Sequence, residues 1–201
     1  MSLPPRIAIA SRNPHKLREI ERICADWPVA WLTIVNHDGP WPDVKEPFDT
    51  YLDNALVKAR SVASALGEPA LADDSGIEVD ALGGKPGPRS ARFAGEDASD
   101  EQNLQAMMQA LAGIPQGGRS ARYRCVAAVV WPDGRAIHAD GICEGALVGK
   151  RRGTGGFGYD PIFVPAGWEE TMAELQPEQK DRIGHRGRAM RALRHLLSES
   201  S

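Results

Sequence analysis

Hydrophobic and polar positions along the chain alternate between two periods, so strands and helices are expected in turn. Residues 6–10 (Arg-Ile-Ala-Ile-Ala) are a short apolar run, which predicts a buried strand. Asn13-Pro14 follows, an N-cap with proline at the first helical position, and Leu17, Ile20 and Cys24 recur at helical spacing. The first unit is therefore strand, tight loop, helix. Residues 26–47 are rich in Trp, Pro and Asp and show no period. A second helix is predicted from about Thr50. Thr50-x-x-Asp53 resembles a capping box, Ala55, Leu56, Ala59, Val62, Ala63 and Leu66 form its apolar face, and Gly67 stops it.

Residues 70–72 predict a short strand running into Asp73-Asp74-Ser75-Gly76, residue types that favour a turn, with 77–79 extended beyond it. Residues 81–95, rich in glycine and proline, read as a loop. Ser99-x-x-Gln102 caps a helix that buries Leu104, Met107, Met108 and Leu111. Residues 119–131 and 135–148 form a long hairpin about Pro132-Asp133-Gly134. A glycine loop, an extended 161–165, a short helix opened by Thr171-x-x-Glu174 and a last helix over 187–197 complete the chain. Strands alternating with helices, plus one hairpin, predict an α/β fold with a mixed sheet. With no repeat or linker, residues 1–201 are expected to form one domain.

Composition narrows the function. Of 201 residues, 42% are hydrophobic and 25% charged, as in an ordinary globular protein. A formal net charge of −3 speaks against wrapping a nucleic-acid backbone. The first residues lack a signal-peptide layout, and the longest apolar run, 125–131, is far short of a membrane span. A cytoplasmic protein without nucleic-acid or membrane partners is the expectation. Three cysteines without C-x-x-C spacing and five scattered histidines suggest neither disulfide framework nor zinc site.

The candidate chemistry is acidic and basic together. Ser11, Asn13 and Lys16 lie where a strand feeds a helix N-terminus, a place that favours an anion; an ordinary capped helix has the same look. Glu46 and Asp73-Asp74 offer hard oxygens, and one or two carboxylates plus substrate phosphates suffice for Mg²⁺. Lys58, one turn after Asn54, is an electrostatic partner for a triphosphate if it faces inward. Residues 153–158 satisfy G-x-G-x-x-G, but Pro161 and the extended stretch after it exclude the helix that a dinucleotide site needs. Phe157 and Tyr159 could stack on a base. Lys180 precedes Gly184-His185-Arg186-Gly187, where Arg186 and His185 as donors would favour an oxygen at purine C6 over an amino group; a helix start with a solvated basic face continued by Arg188, Arg191 and Arg194 has the same look.

The order and wording of these segments carry more than any one of them. Ser11-x-Asn-x-x-Lys16, Glu46, Asn54-Ala-x-x-Lys58-Ala-Arg, Ala72-Asp-Asp-Ser-Gly, Pro86-Gly-x-x-Ser-Ala-Arg92, Gly153-Thr-Gly-Gly-Phe-Gly-Tyr-Asp-Pro-Ile-Phe163 and His185-Arg-Gly follow one another over residues 6–197. The chain closely resembles the inosine/xanthosine triphosphate pyrophosphatase family, whose members remove deaminated purine nucleotides from the pool. The resemblance implies an elongated, two-lobed α/β fold, its mixed, strongly twisted sheet flanked by helices, with a central cleft. It implies a homodimer, a need for Mg²⁺, and cleavage of ITP, dITP or XTP to the monophosphate and pyrophosphate. It assigns Ser11, Arg12, Asn13, Pro14, His15 and Lys16 to the phosphate loop, Glu46 and Asp74 to the metal, and Asp74 to proton acceptance. Lys16 and Lys58 are expected to add positive potential, and the resemblance implies that Ser75, Phe157, Gly158, Tyr159, Asp160, Lys180, His185 and Arg186 contact the nucleotide. The family usually has Ser before His-Arg-Gly; here Gly184 stands there. A Maf-type pyrophosphatase acting on other modified nucleotides and a non-catalytic nucleotide sensor are the alternatives. The His-Arg-Gly and Gly-Phe-Gly-Tyr-Asp segments oppose the first, and the acidic residues oppose the second.

Overall fold

The structure is a computed structural model, described here for residues 3–199. β1 (Arg6–Ile9) leads into α1 (Pro14–Ile23), then β2 (Ala30–Leu32), α2 (Tyr51–Leu66) and β3 (Ala70–Val79). β4 (Lys85–Pro86), α3 (Asp100–Ala110) and the hairpin of β5 (Ser120–Val130) and β6 (Ala136–Leu147) follow. β7 (Phe163–Pro165), α4 (Pro177–Ile183) and α5 (His185–Glu199) end the fold. The strand order is β2-β1-β3-β5-β6-β7, with β4 pairing β3 off this path. β1 runs parallel to β2 and β3, whereas β6 and β7 are antiparallel, so the sheet is mixed as expected.

The chain divides into two compact units. One contains residues up to Asp74, Cys125–Gly141 and the chain from Arg186 onward; the other contains Ser75–Arg124 and Ile142–His185. In the first unit, alternate residues of a strand face opposite sides of the sheet, and each side takes a different helix. Ile7, Ile9 and Leu71 pack with Leu17 and Ile20 of α1 and with Ala189, Met190 and Leu193 of α5. Ala8, Ala70 and Ala72 pack with Ala59, Val62 and Ala63 of α2. In the second unit, Ile77, Val79, Leu104, Met107, Tyr123, Leu147, Phe163 and Met172 share one core.

The caps follow the sequence. Asn13 accepts from the amides of His15 and Lys16, Thr50 from Asp53, and Ser99 forms a full capping box with Gln102. Gly67 ends α2 at φ 67°, a left-handed conformation that glycine adopts without strain. Three expectations are corrected. β2 lies inside the stretch that shows no period. Asp73-Asp74-Ser75-Gly76 is no turn but the middle of one ten-residue strand, β3. Turn preference is overridden there because both carboxylates find cationic or amide partners, and because Gly76 admits a close neighbour: a Cβ on it would stand 2.1 Å from the Gly87 carbonyl oxygen. Thr171 and Glu174 make the expected cap-like bond, Thr171 N–H to Glu174 Oε2 at 2.7 Å, yet close only a turn. The helix waits for Pro177, with Gln176 and Gln179 as its capping box.

Candidate active site

The phosphate-loop residues belong to the first unit. Asn13 N–H donates to Ser11 Oγ at 3.2 Å, which tightens the turn between β1 and α1. Arg12 is turned toward residues 41–43, donating to the Trp41 carbonyl at 2.7 Å. His15 Nδ1 lies 3.1 Å from Arg18 Nη2. Of the six residues, Lys16 is the one aimed at the acidic strand: its Nζ is 3.2 Å from Asp73 Oδ2, and the side chain is 16% exposed.

Asp73 and Asp74 are consecutive on β3, so they face opposite sides of the sheet. Asp73, on the α1/α5 side, is completely buried between Lys16 and Arg186, whose Nε and Nη2 donate to Oδ2 at 3.2 and 3.1 Å. Arg186 Nη1 also pairs with buried Glu19 of α1. Burial alone would push the Asp73 carboxyl up, but Lys16, Arg186 and Lys58 outweigh it and hold the group far below the ordinary carboxylate range. Burial likewise pulls Lys16 down, and Asp73, with Asp74 and Glu46, more than restores its charge.

Asp74, on the α2 side, meets the second group. Lys58 Nζ donates to Glu46 Oε2 at 2.9 Å and to the Asp73 carbonyl at 2.7 Å, and lies 3.8 Å from Asp74 Oδ1. Asn54 Nδ2 donates to Asp74 Oδ2 at 3.1 Å. Burial, aided by the negative charge of Glu46, pushes the Asp74 carboxyl up to about 6 against the pull of Lys58 and Lys16. Glu46 moves the other way: burial raises it, but Lys58, Lys16 and a hydrogen bond from Asp74 lower it further. Two carboxyl groups thus stand together where a cation would relieve their repulsion. Among the described residues no group of three or more His, Cys, Asp or Glu side chains is arranged for a metal ion. The Glu46–Asp74 pair of hard oxygens fits a cation that completes its shell with water and phosphate.

The second unit gathers the remaining residues. Asp160, 2% exposed, accepts from Lys180 Nζ at 2.6 Å, from the Phe157 amide at 2.9 Å and from Tyr123 Oη at 3.2 Å. The loop closes this tightly because Gly156 has φ 70° and no Cβ, which would lie 2.1 Å from Asp160 Oδ2. Lys180 Nζ also sits 4.9 Å from the centre of the Phe157 ring. His185 stacks on Tyr123 at 4.6 Å between ring centres. Tyr159 Oη donates to the Ser90 carbonyl at 2.7 Å, and Gly158 N–H donates to Asp100 Oδ2 at 3.2 Å. Ser75 follows Asp74 on β3, half-buried.

Residues 7–196 match the Ham1 family. The chain belongs to the Ham1 family. It is 42% identical over 193 residues to the dITP/XTP pyrophosphatase of Desulforamulus reducens and 45% identical over 193 residues to that of Geobacter sulfurreducens, covering 96% of each chain in both cases. The Ham1 protein of Staphylococcus aureus superposes with a TM-score of 0.84 at 37% identity, covering 98% of this chain and all of that one. A nucleoside-triphosphatase, dITP/XTP pyrophosphatase, of Mycobacterium abscessus superposes at 0.74 with 40% identity, covering 94% and 98%.

Within this Ham1 chain Arg186 lies in the first unit with its guanidinium directed at Asp73 and Glu19, its side chain 3% exposed. The contacts of Glu19 with Arg186 and of Asn54 with Asp74 were not foreseen from the sequence. Glu19 sits three residues after Lys16, the helical spacing that puts both on one face, which was the available signal. At Gly184 a Cβ would stand 2.6 Å from the Lys180 carbonyl, so the α4–α5 junction of this Ham1 chain is closed down on a glycine.

Proposed function

We propose that this chain hydrolyses non-standard purine nucleoside triphosphates (ITP, dITP and XTP) to the nucleoside monophosphate and pyrophosphate. The observation that carries the reading is the meeting of Glu46 and Asp74 beside Lys58, with Lys16 in the same charged network. Such a site neutralises a polyphosphate tail and places a base beside it. The relatives named dITP/XTP pyrophosphatase support the substrate class. In this reading the whole chain acts as one pyrophosphatase domain and works as a cytoplasmic homodimer. No described helix is long and apolar enough to cross a membrane.

Glu46 and Asp74 would hold a divalent cation, Mg²⁺, which when bound neutralises charge on phosphate oxygens. Asp74, near pH 6, is poised to accept a proton from water at neutral pH. As that water oxygen attacks the α-phosphorus, the α–β anhydride bond breaks and its electrons leave with pyrophosphate. Lys16 and Lys58 face the charge that develops on the leaving group. Ser11 and Asn13 shape the loop that carries Lys16. In this reading Ser75, Phe157, Gly158, Tyr159, Lys180, His185 and Arg186 contact the nucleotide, Asp160 holds Lys180 and the Phe157 amide, and Arg186 also compensates the charge of Asp73.

The test is pyrophosphate release from ITP, XTP, GTP and ATP with and without Mg²⁺. Release from ITP and XTP that needs the cation and greatly exceeds release from ATP supports the reading; equal rates on ITP and ATP overturn it.

A further inference from the structure

Asn54 has a chemical position that the reaction itself does not use. Its side chain is fully buried in the first turn of α2. Its Oδ1 accepts from the Phe48 amide at 3.1 Å, and its Nδ2 donates to the Phe48 carbonyl at 3.0 Å and to Asp74 Oδ2 at 3.1 Å. One carboxamide therefore clasps both backbone groups of Phe48, two residues after Glu46, and an oxygen of Asp74. The segment 37–48 that carries Glu46 has no regular secondary structure and contains Pro40, Pro42 and Pro47, so no backbone ladder fixes where Glu46 stands. Lys58 joins Glu46 to the strand through charge, but its long side chain has many rotamers. The short, planar Asn54 has few.

We infer that Asn54 is the positioning residue of the Glu46–Asp74 pair, setting the separation of the two carboxylates and leaving Asp74 Oδ1 as the oxygen turned to the ligand. This rests on the reading of that pair as a cation site. A side chain that orients a ligand without touching the metal typically changes affinity by about 10–100-fold when it is lost. Truncating Asn54 leaves both carboxylates present but removes the contact that sets their spacing, so the effect is read directly as a loss of cation affinity.

The experiment is a titration of the substrate-free protein with Mn²⁺, followed by the spin-resonance signal of the free ion, on the wild-type chain, Asn54→Ala and Asp74→Asn. A second variant, Phe48→Pro, removes the loop amide without touching Asn54 or Asp74. Phe48 is 42% exposed, so Phe48→Ala serves as its side-chain control. Asn54→Ala should weaken Mn²⁺ binding by about tenfold or more and raise the Mg²⁺ concentration needed for half-maximal turnover by the same factor. Phe48→Pro should move in the same direction and Phe48→Ala should not. Thermal unfolding of each variant identifies loss of fold. Mn²⁺ affinity of folded Asn54→Ala or Phe48→Pro within twofold of wild type overturns the inference. Failure of the wild-type chain to bind Mn²⁺, or equal binding by Asp74→Asn, overturns the cation reading itself and the inference with it.

Discussion

Asp74→Asn should make the protein more stable at pH 8 while abolishing its turnover. Asn is nearly isosteric with Asp and its amide oxygen can still accept from Asn54, so packing is preserved. What changes is the charge. Asp74 titrates near 6 in the fold against an ordinary 3.8, and each pH unit between the two is worth about 1.4 kcal/mol. Because the folded value lies above the unfolded one, the favourable contribution is complete below pH 3.8 and is lost as pH rises through about 6. At pH 8 the ionised, buried carboxylate therefore destabilises the metal-free fold by about 3 kcal/mol. For a chain of this size that is about 6–12 °C in Tm. Thermal unfolding of both proteins in EDTA at pH 8, 6 and 4 reads the difference. The variant should lead at pH 8, by less at pH 6, and not at pH 4. Equal or lower stability of Asp74→Asn at pH 8, or a gap that does not shrink in acid, refutes the reasoning. Near-normal pyrophosphate release by the variant refutes the role of Asp74 in the reaction. A residue kept at such a loss of stability is what a functional carboxylate looks like.

Other consequences follow from the same geometry. Asp73→Asn should do the opposite to stability, lowering it by about 3–5 kcal/mol in urea unfolding, because Arg186 and Lys16 lose a buried counter-charge; a change under 1 kcal/mol contradicts the clamp. Apparent affinity for the divalent cation should fall about tenfold per pH unit below about 6, as one proton competes for Asp74; a flat calorimetric affinity from pH 7 to 5 contradicts that competition. Lys58→Met should lower kcat/KM by about 10²–10³ by the same factor for ITP and XTP, since it faces the polyphosphate and not the base; a factor that differs tenfold between them reassigns it.

The wording of the chain was enough for much of this. The N-caps Asn13, Thr50 and Ser99, the stop at Gly67 and the 120–147 hairpin depend on contacts within a few residues or on period, so local sequence determines them. The resemblance, spread over nearly the whole chain, named Lys16, Glu46, Lys58 and Asp74 in advance. The Asp-Asp-Ser-Gly stretch shows where local reading ends. Its residues prefer a turn, and only partners 57 and 113 positions away from Asp73, Lys16 and Arg186, make it a buried strand. The opposite duties of Asp73 and Asp74 also come from the sheet: one faces α1 and α5, the other α2, because neighbours on a strand point apart. The pairing of Arg186 with Asp73 and Glu19 is equally long-range, since buried charge must be compensated by whatever the fold brings near. Residue identity determined which chemistry was available; long-range packing decided which side chain does which part of it.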